Sequence, residues 1–178
     1  MIDALRLYTR YVAASLRSQM QYRASFIMLA FGQFLATGVE FLALWAVFDR
    51  FGSLQGWTLA EVALFYGIIS VAFAIAESVA RGFDIFGDLV RSGDFDRFML
   101  RPRSTALQVA GHEVQLMRIG RFSQGLIVLL WATTALGVRW TVPRLALLVA
   151  SVLGGTCLFV GLFVLQATMA FWTTETLE

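Results

Sequence analysis

The residue types best suited to recognising another molecule are concentrated in residues 81–103, RGFDIFGDLVRSGDFDRFMLRPR. This stretch holds five arginines and four aspartates. Its apolar residues recur at helical spacing, so the stretch is predicted to form an amphipathic helical segment. A segment with charges of both signs beside an apolar ridge is typical of a binding surface and not of a catalytic site. Lipid headgroups and a protein partner both fit this pattern.

Several kinds of chemistry are excluded by residues that the chain lacks or holds only once. All fourteen cationic residues are arginine, so the chain can form neither a Walker A phosphate loop nor a lysine Schiff base. The single Cys157 and the single His112 exclude an internal disulfide, a Cys-x-x-Cys site and a histidine metal cluster. We therefore predict no catalytic residue, no metal site and no cofactor on this chain. Any ATP hydrolysis would belong to a separate chain.

The elements that position the charged stretch are predicted to be membrane helices. The chain has 178 residues, of which 58% are hydrophobic and 15% charged, and its mean hydropathy is +0.72. These values are typical of integral membrane proteins. We predict an all-α, polytopic membrane helical bundle with four spans, at about 26–48, 62–79, 122–138 and 145–171.

The chain divides into four predicted segments. Residues 1–25 carry arginines along their whole length and apolar residues three or four apart, which favours an amphipathic helix in the membrane interface. The alternative is a basic end that only sets orientation. Residues 26–79 hold the first two spans, residues 80–121 form a polar segment, and residues 122–178 hold the third and fourth spans.

The arginines also predict the topology. Four lie in residues 1–24 and seven in residues 80–121, whereas the two short turns hold one and two. The positive-inside rule then puts the N-terminus and the segment 80–121 in the cytoplasm. The net charge of the chain is only +2, and its arginines are distributed according to the membrane topology. We therefore predict no binding to nucleic acid.

The charged segment contains one sharply defined motif, Gly93-Asp94-Phe95-Asp96-Arg97, which runs on to Arg101-Pro102. Gly93 permits a sharp turn, and Asp94 is predicted to be the N-cap of a short helix. Pro102 disfavours helical geometry at the residue before it, which limits the length of that helix.

Three polar residues are predicted to lie within the first two spans. Gln33 and Glu40 are seven residues apart and so lie near one face of the first span. They could line a substrate route or pair across a dimer, or they could simply form interhelical hydrogen bonds that aid packing. Glu40 lies toward the outer end of the span, where it could instead reach water. Glu77 lies near the cytoplasmic end of the second span and is predicted to pair with Arg81 at i+4.

The pattern Gly-Asp-x-Asp-Arg-x-x-x-Arg-Pro at positions 93–102 resembles the cytoplasmic motif of the bacterial type 2 permease family of ATP-binding-cassette (ABC) exporters. The similarity extends over the chain, to the MQYRASF run at 20–26, to Gly56-Trp57-Thr58 and to Phe171-Trp172-Thr173. This resemblance implies an all-α permease of six spans that forms the translocation pathway in the bacterial inner membrane. It also implies a dimer with a second or related permease copy. Relative to that pattern, we expect the chain to be an incomplete permease domain, truncated after the fourth span.

The same resemblance implies which residues meet the partner. Two cytoplasmic ABC ATPase subunits, which hold ATP and Mg, would dock on a coupling helix between the second and third spans. The implied docking residues are Gly93, Asp94, Asp96, Arg97, Arg101 and Pro102. Two other functions stay open: a non-transporting membrane fragment or scaffold, and a membrane-embedded enzyme, for which no clustered intramembrane acids or nucleophiles are present in the sequence.

Overall fold

The computed structural model describes residues 13, 21, 23–100, 104–111, 118–170 and 172. Within these residues the secondary structure is helical. The helices, numbered here in chain order, are α1 Arg23–Phe51, α2 Leu59–Asp84, α3 Phe86–Arg91, α4 Asp94–Met99, α5 Thr105–Ala110, α6 Ile119–Ala135 and α7 Val142–Met169. The prediction of an all-α chain is confirmed. The interfacial helix predicted for residues 1–25 falls almost entirely outside the described residues.

Three stretches of the described chain are long and apolar enough to cross a membrane: Arg23–Phe51, Leu59–Arg91 and Val142–Met169. Helix α6, predicted as the third span, has 17 residues, or about 25 Å at 1.5 Å per residue. That length is at the lower end of what spans a hydrocarbon core of about 30 Å. The helices at the predicted first, second and fourth spans are thus long and apolar enough to cross a membrane, and the third span stays a prediction.

Helices α1 and α7 are predominantly apolar, without one distinct apolar face, and bury few residues, among them Thr37 and Phe48 in α1 and Phe163 and Ala167 in α7. A soluble protein rarely leaves such long apolar surfaces exposed, whereas a bilayer solvates them. This exposure is the expected property of helices that face lipid or further membrane helices.

Helix α2 begins with a capping box formed by Thr58 and Glu61. The Thr58 backbone N–H and the Thr58 hydroxyl each donate to Glu61 Oε2 at 2.8 Å, and the Glu61 N–H donates to Thr58 Oγ1 at 3.4 Å. These bonds satisfy backbone donors that the first helical turn leaves unpaired. Near its other end, α2 kinks at Ala80, where φ is −126° and ψ is 19°.

The described residues form two compact units. Unit 1 comprises residues 76–100, 104–111 and 157–170, and unit 2 comprises Ala24–Ile75 and 118–156. In unit 2, α6 packs closely on α2 through glycine. A Cβ atom added to Gly67 would lie 2.8 Å from Leu129 Cβ, and one added to Gly125 would lie 2.8 Å from Ser70 Cβ. Such close approach by small residues is how membrane helices gain packing contacts without a hydrophobic driving force.

Unit 1 contains the charged segment as three short helices, α3, α4 and α5. Its core is a cluster of buried apolar side chains on these helices and on the end of α7: Phe86, Leu89, Phe98, Val109, Ala167 and Ala170. Gly82 lies against α5 so closely that an added Cβ would overlap the Val109 carbonyl. The segment is therefore packed into a folded unit and is more than a loop between spans.

Candidate functional site

The predicted docking motif begins at a turn that requires glycine. Gly93 has a φ of 76° and an open surrounding space, a left-handed conformation that side chains with a Cβ disfavour. The turn predicted at Gly93 is confirmed. The assignment of Asp94 as N-cap is wrong by one residue, because Gly93 occupies the N-cap position and Asp94 is the first residue of α4.

The charged side chains of α4 point largely to solvent. Arg97 Nη1 lies 3.2 Å from Asp94 Oδ1, an ion pair between residues three apart, and the Arg97 side chain is 78% exposed. Asp96 is exposed as well. An exposed pair of this kind contributes little to stability, so these charges remain available to a partner. The remaining predicted docking residues, Arg101 and Pro102, lie outside the described residues.

The opposite side of α4 is anchored. Phe98 is buried in the apolar cluster, and Phe95 packs edge-on against Phe86 with ring centroids 4.9 Å apart. The Nε2 group of the buried Gln108 donates to the Phe98 carbonyl at 3.3 Å, which satisfies a carbonyl at the end of a short helix. Helix α4 thus presents charge outward and holds to α3, α5 and α7 by its inner face.

Two solvent-exposed apolar residues follow the buried Phe98. Met99 is 58% exposed and Leu100 is 86% exposed. They adjoin the charged residues Asp96 and Arg97, so one surface combines a small apolar patch with charges of both signs. Protein interfaces commonly have this composition, with an apolar centre and a polar rim.

Glu77 forms the ion pair that its spacing predicts. Glu77 Oε1 lies 3.6 Å from Arg81 Nη1, and the same guanidinium also pairs with Asp84. Glu77 is buried, and a buried carboxylate needs a partner of opposite charge. The group lies next to the kink at Ala80 and explains how charged residues are tolerated near the end of α2.

Gln33 and Glu40 both lie on α1, as predicted. The Glu40 side chain is 59% exposed, and its Oε1 lies 3.9 Å from Arg121 Nη2 at the start of α6. The same guanidinium lies over the Phe73 ring of α2, 4.8 Å from its centroid. The hypotheses that Gln33 and Glu40 line a route or pair across a dimer stay predictions.

Sequence reasoning missed two polar residues of unit 2, Arg121 and Gln124. Gln124 is only 4% exposed, and it lies inside the predicted third span, where any polar side chain is a signal of function or of helix contact. Arg121 immediately precedes that span, and counting it with the cytoplasmic arginines hid its contact with α1.

Among the residues that the structure describes, no three His, Cys, Asp or Glu side chains group so as to hold a metal ion. The prediction that the chain binds no metal or cofactor stays a prediction.

A protein-family model described as ABC-2 family transporter protein matches residues 34–178, which is most of the chain. The chain belongs to the ABC-2 transporter family.

Searches of curated proteins and of solved structures gave no significant match to this ABC-2 protein. The family match confirms the resemblance to ABC-2 permeases that the sequence showed. Together with the long apolar helices, it identifies a multi-pass membrane protein that is the permease component of an ABC transporter.

Proposed function

We propose that this permease component works in an ATP-driven exporter and that separate cytoplasmic ATPase subunits dock on its α3–α5 segment. ABC-2 permeases as a family partner ABC ATPases. The observation that carries the proposal is the two-sided character of α4, which is anchored by Phe98 and exposes Arg97, Met99 and Leu100. A helix that only rested on the membrane surface would direct its apolar face toward lipid and not into a protein core.

The anchoring contacts supply a route for mechanical coupling. Phe98 of α4, Phe86 of α3 and Val109 of α5 share one buried cluster with Ala167 of α7. Close-packed side chains move together because the interior has little free volume. A displacement of α4 by a docked ATPase would therefore be passed to the end of a membrane span. ATP and Mg are expected on that partner, and this chain makes no bond chemistry in the cycle.

The proposal also includes the topology of the chain, its neighbours in the membrane and the direction of transport. The arginine distribution favours a cytoplasmic N-terminus and a cytoplasmic α3–α5 segment in a bacterial inner membrane. The exposed apolar faces of α1 and α7 would be covered by lipid and by a second or related permease copy, as in a dimer. Outward transport is inferred from the resemblance of the 93–102 motif to exporter permeases.

The test uses a dipeptide that occurs twice in the chain. Asp96-Arg97 lies on the proposed docking face, and Asp49-Arg50 lies at the exposed end of α1. We would exchange the two charges in each place, as Asp96→Arg/Arg97→Asp and as Asp49→Arg/Arg50→Asp, which preserves composition and net charge. Each variant would be purified from the source bacterium, and copurifying ABC ATPase subunits would be quantified by mass spectrometry of their Walker A peptides.

The exchange at positions 96 and 97 is expected to reduce the copurified ATPase at least about tenfold, since like charges meeting across an interface cost several kcal/mol. The exchange at positions 49 and 50 should leave the amount unchanged. Equal recovery of ATPase with both variants would refute the docking role. Absence of any ATPase with the unaltered chain would favour the alternative of a non-transporting scaffold.

A further inference from the structure

Unit 1 contains a pocket of about 410 Å³ where the end of α2, the short helix α3 and the end of α7 meet, called here the α2–α7 pocket. That volume lies within the range of small-molecule sites in proteins. Its lining is mostly polar and includes Arg81, Asp84, Asp88, Arg91 and Gln166. None of its described lining residues belongs to α4, whose exposed charges carry the docking proposal.

The position of the pocket along two membrane spans places it at the level of the lipid headgroups. A helix crosses the hydrocarbon core in about 20 residues. Arg81 and Gln166 each come more than about 20 residues after the first residue of their helix, Leu59 in α2 and Val142 in α7. Both spans therefore reach the pocket where they leave the hydrocarbon core, on the same side of the membrane.

The charged side chains of the pocket are of both signs. Two arginines and two aspartates line it, so their formal charges sum to zero. Glu77, which is buried and pairs with Arg81, adds one negative charge to the surroundings. A wholly anionic headgroup would meet these carboxylates as like charges, which is costly, whereas a headgroup with one negative and one positive group finds a partner for each.

Arg81 is suited to bind the negative group of such a headgroup. A guanidinium carries five N–H donors, and the two carboxylates that pair with Arg81, those of Glu77 and Asp84, both contact it at Nη1. The Arg81 side chain is only 19% exposed, so these pairs hold it in place. A guanidinium binds phosphate oxygens through parallel hydrogen bonds, and Arg91 on α3 adds a second cation to the lining.

Asp88 is suited to bind the positive group. It is exposed on α3 and lines the pocket, and an ionised carboxylate only accepts hydrogen bonds. A primary ammonium offers three hydrogens to such an acceptor. A trimethylammonium group offers none, so the carboxylates of the pocket favour an ethanolamine headgroup over a choline headgroup.

A smaller apolar pocket adjoins the α2–α7 pocket. Its volume is about 170 Å³, and the two pockets share the lining residues Phe83 and Ala167. Its other walls include Phe86, Phe95 and Val164. An apolar cavity of about 150 Å³ can hold a molecule of the size of benzene. Adjacent polar and apolar pockets fit an amphiphilic ligand, whereas a small soluble zwitterion would leave the apolar pocket unused.

We propose that the α2–α7 pocket binds the headgroup of a phospholipid that carries both a phosphate and a primary ammonium, as in phosphatidylethanolamine, and that the adjoining apolar pocket takes part of an acyl chain. Arg81 and Arg91 bind the phosphate, and Asp88 binds the ammonium. The inference concerns lipid binding by unit 1. It is independent of the ATPase docking proposed above, so either can fail without the other.

The test compares three phospholipids with identical acyl chains: phosphatidylethanolamine, phosphatidylcholine and phosphatidylglycerol. Native mass spectrometry of the purified full chain in detergent measures the apparent Kd of each. We expect phosphatidylethanolamine to bind at least about fivefold more tightly than the other two, because choline loses the hydrogen bonds to the carboxylates and phosphatidylglycerol loses the cation. Glycerophosphoethanolamine, which has the same headgroup without acyl chains, should bind at least about tenfold more weakly than the full lipid.

Matched variants locate the site. Asp88→Asn removes a charge from the pocket, and Asp49→Asn removes one from the exposed end of α1. Asp88→Asn should remove most of the preference for phosphatidylethanolamine over phosphatidylcholine, because a neutral amide attracts an ammonium less than a carboxylate does, whereas Asp49→Asn should retain it. Val164→Phe should fill the apolar pocket and weaken all three lipids several-fold, and the exposed neighbour Leu165 provides the control, Leu165→Phe.

Four results would overturn the proposal. One is equal binding of the three lipids by the unaltered chain, a comparison that requires no variant to fold. Another is tighter binding of phosphatidylglycerol, which would assign the pocket to anionic headgroups. The third is binding of glycerophosphoethanolamine as tight as that of the full lipid, because a soluble zwitterion would then be the ligand. The last is a preference that Asp88→Asn retains as fully as Asp49→Asn, which would place the lipid elsewhere.

Discussion

Arg121 Nη2 lies 3.9 Å from Glu40 Oε1, at the outer limit for an ion pair, while the same guanidinium lies over the ring of Phe73. The three residues belong to α6, α1 and α2, so one cation on α6 contacts two other helices of unit 2. An arginine among apolar membrane helices requires such partners, because an unpaired charge is expensive there. The contact gives Glu40 a role between helices, which is one of the interpretations that its position in the first span allowed.

A double-mutant cycle would measure this contact. Glu40→Ala and Arg121→Ala would be made singly and together, and the free energy of unfolding would be measured for each in the same detergent. Because either single change leaves the other charge without its partner, we expect a coupling energy of about 1 kcal/mol or more. Arg144, which donates to the Arg139 carbonyl, provides the control: its change to alanine should add to Glu40→Ala within about 0.5 kcal/mol. A zero coupling for Glu40 and Arg121 would contradict the ion pair.

The features that sequence reasoning predicted correctly are local ones. The long apolar runs became α1, α2 and α7, and Glu77 paired with Arg81. The apolar runs are continuous in the sequence, and the ion pair joins residues one helical turn apart, where spacing alone determines which side chains meet. The turn at Gly93 was predictable for the same reason.

Contacts between helices were not predictable from the sequence. Lipid and protein solvate an apolar helix face similarly, so hydropathy does not tell a packed face from a lipid-facing one. The contact of Arg121 with α1 was missed because this arginine was counted only toward topology. The close contact of Gly82 with the Val109 carbonyl has no local signal either. Such contacts depend on how the helices cross, and a single sequence carries no direct record of that.

The contact at Gly82 yields a prediction about unit 1. Gly82→Ala would force a methyl group into the backbone of α5, and overpacking of this kind costs about 3 kcal/mol. Gly161 is a helical glycine with nothing within 4 Å of an added Cβ, so Gly161→Ala should be neutral or stabilise by up to about 1 kcal/mol through helix propensity. Thermal unfolding of both variants in one detergent checks the contrast. Equal melting temperatures would show that α2 and α5 do not approach this closely.

The left-handed turn at Gly93 yields a second prediction about the same unit. Alanine at this position meets no neighbour, so the cost of Gly93→Ala should be the backbone strain alone, about 1 kcal/mol. Asparagine tolerates this conformation better, so Gly93→Asn should cost less than Gly93→Ala. Hydrogen exchange of the α4 amides reports the difference, with faster exchange in Gly93→Ala. Slower exchange in the alanine variant than in the asparagine variant would contradict the turn geometry.

The neighbours Phe98 and Met99 allow anchoring and docking to be tested separately. Phe98 is buried in the unit 1 cluster, so Phe98→Ala should lower the free energy of unfolding by about 3–5 kcal/mol through the cavity it leaves. Met99 is exposed, so Met99→Ala should change stability by no more than about 0.5 kcal/mol. If α4 is the docking helix, Met99→Ala should nevertheless reduce copurified ATPase several-fold. Unfolding measurements and ATPase recovery on the two variants check both expectations. A Met99→Ala chain that retains full ATPase recovery would remove Met99 from the docking surface, and a stable Phe98→Ala chain would refute the anchor.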